Sequence, residues 1–137
     1  MGIGLSYKPI TYYIRSFFYQ RSFLERVRDS VAAEKDLDLR DFKRGDWDKI
    51  VWVAPYENPC ELGEAFKAWW LFCRGAQEDS EFKIFFLRNS EPVAGFRVLR
   101  FYLDLVESNI PKDIEREETI FKFDHFEQFP TVQQHIQ

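Results

Sequence analysis

The stretch Asp46-Trp47-Asp48-Lys49-Ile50-Val51-Trp52-Val53-Ala54-Pro55-Tyr56-Glu57-Asn58-Pro59 decides how the rest of the chain is read. In an extended strand Ile50 and Trp52 point to one side, Val51 and Val53 to the other. A strand that is apolar on both faces is covered on both, which places it inside a sheet rather than at its edge. Pro55-Tyr56 forms a corner at its end. Asn58 then suits a helix N-cap, Pro59 the first helical position where its missing amide costs nothing, and Glu61 completes a box-like pattern. The helix expected over 59–74 carries Leu62, Ala65, Phe66, Trp69, Trp70 and Cys73 on one face, with Arg74 at the negative end of the dipole and Gly75 as the C′ residue. Trp47, Asp48, Trp52, Pro55, Tyr56, Asn58, Pro59, Trp69 and Gly75 are accordingly read as structural residues.

Downstream, residues 82–88 read as a strand, and the turn Asn89-Ser90-Glu91 leads into a second, antiparallel strand over 93–101. Gly95 inside that strand marks a bulge or a close approach beneath a bulky ring. A charged run over 112–118 precedes a last strand, Thr119 to Phe126, and the tail from Phe129 is expected to fray. Upstream, Ile10, Tyr13, Ile14, Phe17 and Phe18 fall at helical spacing. Ser22 and Glu25 have capping-box spacing, so a separate helix is expected over about 23–34 with Phe23, Leu24, Val27 and Val31 inward. Residues 35–45 read as a surface connection whose leucines pin it to the core. The fold class expected is α+β: N-terminal helices, then an antiparallel sheet of about four strands with the 59–74 helix inserted after the first and packed on one face.

With 137 residues, 45% of them hydrophobic and 31% charged, the chain suits a single domain over 1–137 with an aromatic-rich core. No run of apolar residues is long enough to span a membrane. No basic segment followed by an apolar one marks a secretory signal, and Met1-Gly2-x-x-x-Ser6, although it fits the myristoylation pattern, reads as an ordinary start. Cys60 and Cys73, the only cysteines, would lie about 20 Å apart on one continuous helix. Bonding to each other there is excluded, and two free thiols suit a reducing compartment. The location expected is cytoplasmic.

Little in the residues points to catalysis. Of the two histidines, His125 and His135, neither lies near a cysteine, so no zinc site is expected. The glycine-rich phosphate cradles and the serine elbow are absent, and no cofactor is expected. Cys73 with His125 could form a thiol-imidazole pair, but Cys73 reads better as a helix-face cysteine packed among Trp69 and Trp70. Asp46, Asp48 and Glu57 could form a pair of acid-base carboxylates, but Asp48 reads better as an acceptor of local hydrogen bonds. The chain is not expected to be an enzyme.

Charge is unevenly distributed. Residues 1–44 carry +3, residues 45–100 carry −2 and residues 101–137 carry −5. The acidic third holds Asp104, Glu107, Asp113, Glu115, Glu117, Glu118, Asp124 and Glu127. Such a surface repels a phosphate backbone and attracts a basic protein, so nucleic acid is not an expected partner.

The Trp-Asp pattern at 46–48, the Pro-Tyr corner at 55–56 and the strand over 82–88 with its turn and Val93 resemble a group of small bacterial proteins, often lipoproteins. The likeness covers about residues 46–98. It implies architecture and no active site, and the lipobox cysteine of the lipoproteins is missing. By type rather than by motif, a compact acidic α+β chain resembles the immunity proteins of contact-dependent growth inhibition, a class of bacterial toxin systems. The expected function is therefore protein binding that neutralises a basic toxin, a nuclease in class, through the acidic third. The alternative is an envelope-associated structural domain whose anchor lies outside this sequence.

Overall fold

Tyr12, Ser16, Tyr19, Phe23 and Val27 recur every three or four residues, the period that puts them on one side of an α-helix. In the computed structural model they are the buried stripe of one continuous helix, α1 (Gly2–Ala32), about 46 Å long at the standard rise. The structure describes residues 2–62, 76 and 78–134, of which residues 2–9 and 62 are described by their backbone alone. A single helix replaces the two expected. Ser22 caps nothing, because the apolar period runs straight through it and breaking the helix there would unseat Phe23 and Val27.

Seven strands follow among the described residues: β1 (Leu37–Asp38), β2 (Lys49–Val53), β3 (Glu81–Arg88), β4 (Glu91–Leu99), β5 (Asp113–Glu115), β6 (Ile120–Phe123) and β7 (Val132–Gln134). They form an antiparallel four-stranded sheet, β4-β3-β2-β5, and a three-stranded one, β1-β6-β7. The α+β class holds, and β2 is internal as its two apolar faces require, with Ile50, Val51, Trp52 and Val53 all buried. The second sheet was not expected. It takes the last predicted strand, shortened to β6, away from the main sheet and gives it partners on both sides. It also orders part of the tail, since Val132 is buried in β7 instead of fraying.

Ile50 and Trp52 of β2, Phe82, Ile84 and Phe86 of β3, and Phe96 and Val98 of β4 join Tyr19, Phe23 and Val27 in one core. That core continues through Leu37, Leu39 and Phe42 to Phe121 and Phe123 of β6. Ring edges meet ring faces within it. Phe86 touches Tyr19 at 5.1 Å and Trp47 at 5.0 Å between centroids, arrangements that add to the area burial itself. The opposite face of the main sheet holds a smaller cluster, Val51, Val53, Phe85 and Leu87 with Cys60.

An outer strand exposes unpaired backbone groups and invites strand addition. On β4 the helix answers this with its side chains. Ser16 Oγ accepts the Gly95 amide at 2.9 Å, Gln20 Nε2 donates to the Arg97 carbonyl at 3.2 Å and Arg15 donates to the Val93 carbonyl at 3.4 Å. Gly95 is the close approach expected. A Cβ there would fall 2.2 Å from the Tyr12 hydroxyl and 2.7 Å from Phe85 Cδ1. The bulge lies nearby, between Phe86 and Leu87.

Asn58 and Pro59 open a helical turn as read from the sequence. The Asn58 side chain accepts the Cys60 amide at 3.0 Å, and Pro59–Leu62 is a 3-10 turn. The remainder of the 59–74 helix, with Trp69, Trp70, Cys73, Arg74 and Gly75, lies outside the described residues, as does His135. Cys60 contradicts the expectation of two free thiols, being disulfide-bonded, with no free cysteine among the described residues. That expectation set both cysteines on one long straight helix, whereas the described part of the stretch is a single tight turn.

Candidate functional site

The carboxylates beside β2 are each engaged where they stand. Asp48 Oδ2 accepts the Asn89 amide at 3.0 Å and fastens the β3-β4 turn to the start of β2. Glu57, past the other end of the strand, accepts the Ala54 amide at 2.7 Å and pairs with Lys112 Nζ. Burial pushes the Glu57 carboxyl up, but Lys112 and the Ala54 amide outweigh it and hold the group below its ordinary value. Asp46 receives the Tyr19 hydroxyl at 3.4 Å. Asp48 and Glu57 thus sit at opposite ends of one strand and do not converge as an acid-base pair. Tyr56 is 67% exposed with φ of 68°, the turned backbone of the Pro-Tyr corner. The charge of Asp79 raises its hydroxyl pKa.

The two tryptophans of the opening stretch are anchors. The Trp47 indole donates to the Phe42 carbonyl at 2.5 Å, and the Arg116 guanidinium lies 4.5 Å above its ring while donating to the Trp47 carbonyl. Trp52 donates to the Pro111 carbonyl at 2.8 Å beneath Lys112. Both tie β2 to the segment that becomes β5.

The acidic third divides into different roles. Asp104 is only 2% exposed; its carboxylate accepts Arg100 Nε at 2.9 Å and Nη2 at 3.2 Å. Asp104 therefore does not belong to the outward-facing set expected from the sequence, because a buried carboxylate needs the cation that holds it. Glu107 lies 3.3 Å from the same guanidinium, and Asp113 pairs with Lys49 at 3.0 Å. Asp124 accepts Thr131 at 2.8 Å and Gln133 at 3.1 Å, closing the β6-β7 connection. Glu127 is exposed, as is His125. Glu115, Glu117 and Glu118 are exposed and enter no ion pair among the described residues. They follow one another along β5, the outer strand of the main sheet, and the 3-10 turn Arg116–Glu118.

Beside this edge is an open polar cleft of about 540 Å³ lined by Asp38, Arg40, Asp41, Arg44, Arg116 and Glu117. Arg40 forks onto Asp38 at 3.1 and 2.9 Å, and Arg26 reaches Asp41 at 2.7 Å. Those hydrogen bonds hold both carboxyls below the usual carboxylate range. The arginines were not singled out in the sequence, where the alternating charge of 35–45 reads as an ordinary surface connection.

The other feature missed is the outer face of α1. Ile10, Tyr13, Ile14, Phe17 and Phe18 have the helical spacing read for them, but all five point away from the sheet, between 52% and 56% exposed. The sequence signal was present as two apolar stripes on one helix. Only one of them can lie on the core.

Among the described residues, no three His, Cys, Asp or Glu gather into a metal-holding group, and no helix is long and apolar enough to cross a membrane. Compared with protein-family models, with curated proteins and with solved structures, the chain matches none of them.

Proposed function

We propose that this chain acts by binding a basic protein domain, in the manner of an immunity protein that neutralises a bacterial toxin, and that it is not an enzyme. The observation that carries the reading is the run of exposed carboxylates Glu115, Glu117 and Glu118 along the outer strand of the main sheet and the turn that follows it. Complementary charge steers encounter and fixes register more than it supplies affinity, so binding should weaken as salt rises. Carboxylates on an outer strand also discourage the strand from pairing with another chain. The test is recovery of a basic partner from native lysate by wild type and by the variant Glu115→Lys/Glu117→Lys/Glu118→Lys, each eluted along a salt gradient. The variant should lose the partner. Retention with the same salt dependence would refute the reading.

Cys60 supports the second reading. Disulfides persist in oxidising compartments and are rare in the cytosol, so a disulfide-bonded Cys60 favours an envelope-associated domain over a cytoplasmic one.

A further inference from the structure

We infer that the outer face of α1 is a docking surface for an anionic lipid bilayer. Ile10, Tyr13, Ile14, Phe17 and Phe18 are all about half exposed on one side of the helix. With roughly 200 Å² per large side chain, they leave roughly 500 Å² of nearly continuous apolar surface, at the upper end of what a monomer exposes without using it.

Charge selects the occupant. Between Gly2 and Leu24 the sequence holds three cations, Lys8, Arg15 and Arg21, and not one Asp or Glu, with Arg15 turned to the Val93 carbonyl of β4. Arg21 lies over the Phe17 ring, 6.0 Å from its centroid, so a cation borders the apolar face directly. An apolar helix face bordered by a cation and clear of carboxylates over its apolar length fits a helix that lies in the plane of a membrane interface, with rings among the acyl chains and the cation at anionic headgroups.

A second copy of the chain fits less well. Each such face offers roughly 500 Å² where a stable pair buries roughly 800 Å² per partner. The stripe also lies on the side of α1 turned away from β4, so docking leaves Tyr12, Ser16 and Tyr19 in place on the sheet.

The experiment is co-sedimentation of the full chain with vesicles of pure phosphatidylcholine and of phosphatidylcholine mixed with phosphatidylglycerol. Wild type should partition about tenfold or more better onto the anionic vesicles at low salt. Ile14→Glu/Phe17→Glu should abolish partition while keeping the wild-type Tm, since both positions face solvent. Arg21→Glu should lose the preference for anionic vesicles. Glu115→Lys/Glu117→Lys/Glu118→Lys should still bind vesicles, which separates this surface from the acidic edge. Absence of partition, equal partition of wild type and Ile14→Glu/Phe17→Glu, or a wild-type dimer that Phe17→Glu converts to monomer would overturn the inference.

Discussion

Replacing Gly95 by alanine tests how α1 is seated. The added methyl carbon would lie 2.2 Å from the Tyr12 hydroxyl and 2.7 and 2.9 Å from two ring carbons of Phe85. Unstrained heavy-atom contacts sit near about 3.5–4.0 Å, so the helix, the ring or β4 must move by roughly an ångström. Overpacking of this kind costs about 1–3 kcal/mol. The lower entropy of an unfolded chain with alanine in place of glycine returns about 0.4–1 kcal/mol. A net loss of about 1–2 kcal/mol corresponds, for a chain of this length, to a fall in Tm of about 3–10 °C. Calorimetry or far-UV melting reads it directly. Because the nearest atom is a hydroxyl, Tyr12→Phe in the Gly95→Ala background should recover part of the loss, with a coupling of at least about 0.5 kcal/mol in the four-protein cycle. A Gly95→Ala protein as stable as wild type, or strictly additive effects, would refute the seating of Tyr12 over Gly95.

Asp104→Asn should lower the urea midpoint with an unchanged m-value, a loss of about 2–4 kcal/mol, because Arg100 loses its one buried carboxylate and keeps the exposed Glu107 and the Asp79 carbonyl; a loss below about 1 kcal/mol would mean that the pair behaves like a surface one. Asp38 and Asp41 have depressed carboxyl pKa values in the fold, so their contribution to stability is complete above the unfolded value near about 4 and disappears as pH falls through the folded values. Arg40→Ala should return the Asp38 titration, followed by carboxyl NMR, to the ordinary range, and an unmoved curve would show that Arg40 is not the cause. Alkylation of the native, unreduced protein should label no cysteine and alkylation after reduction both, whereas labelling before reduction would contradict the bonded state of Cys60.

What could be read in advance follows from how local each signal is. The alternation of Ile50, Val51, Trp52 and Val53 is complete within four residues, and so gave an internal strand before any partner was known. The β3-β4 hairpin and the close approach at Gly95 were readable for the same reason. The path of α1 was misread because Ser22 and Glu25 imitate a helix start, while the stripe from Tyr12 to Val27 shows continuity only over four turns. Strands β1 and β7, of two and three residues, are too short to show any period, and their pairing with β6 depends on residues far away in the chain. Asp104 carried a usable hint in its spacing from Arg100, four residues earlier, but membership of an acidic run concealed its buried role. The outward direction of Ile10, Ile14 and Phe17 could not be read from spacing, since two apolar stripes competed for one core.

The pairing of β2 with β5, and of β1 with β6, sets a schedule for assembly. Ile50 must wait for Ile114, and Leu37 for Phe121, whereas Phe86 finds Ala94 across a tight turn. Distant pairings lose more chain entropy before any contact rewards them, which slows folding. The hairpin is therefore expected to form first and the small sheet last, a sequence that pulse-labelled amide exchange would detect as protection of Phe86 before Phe121. Until β5 arrives, one side of β2 stays open to foreign strands, so a newly made chain depends on its final quarter to protect a strand laid down in its first half.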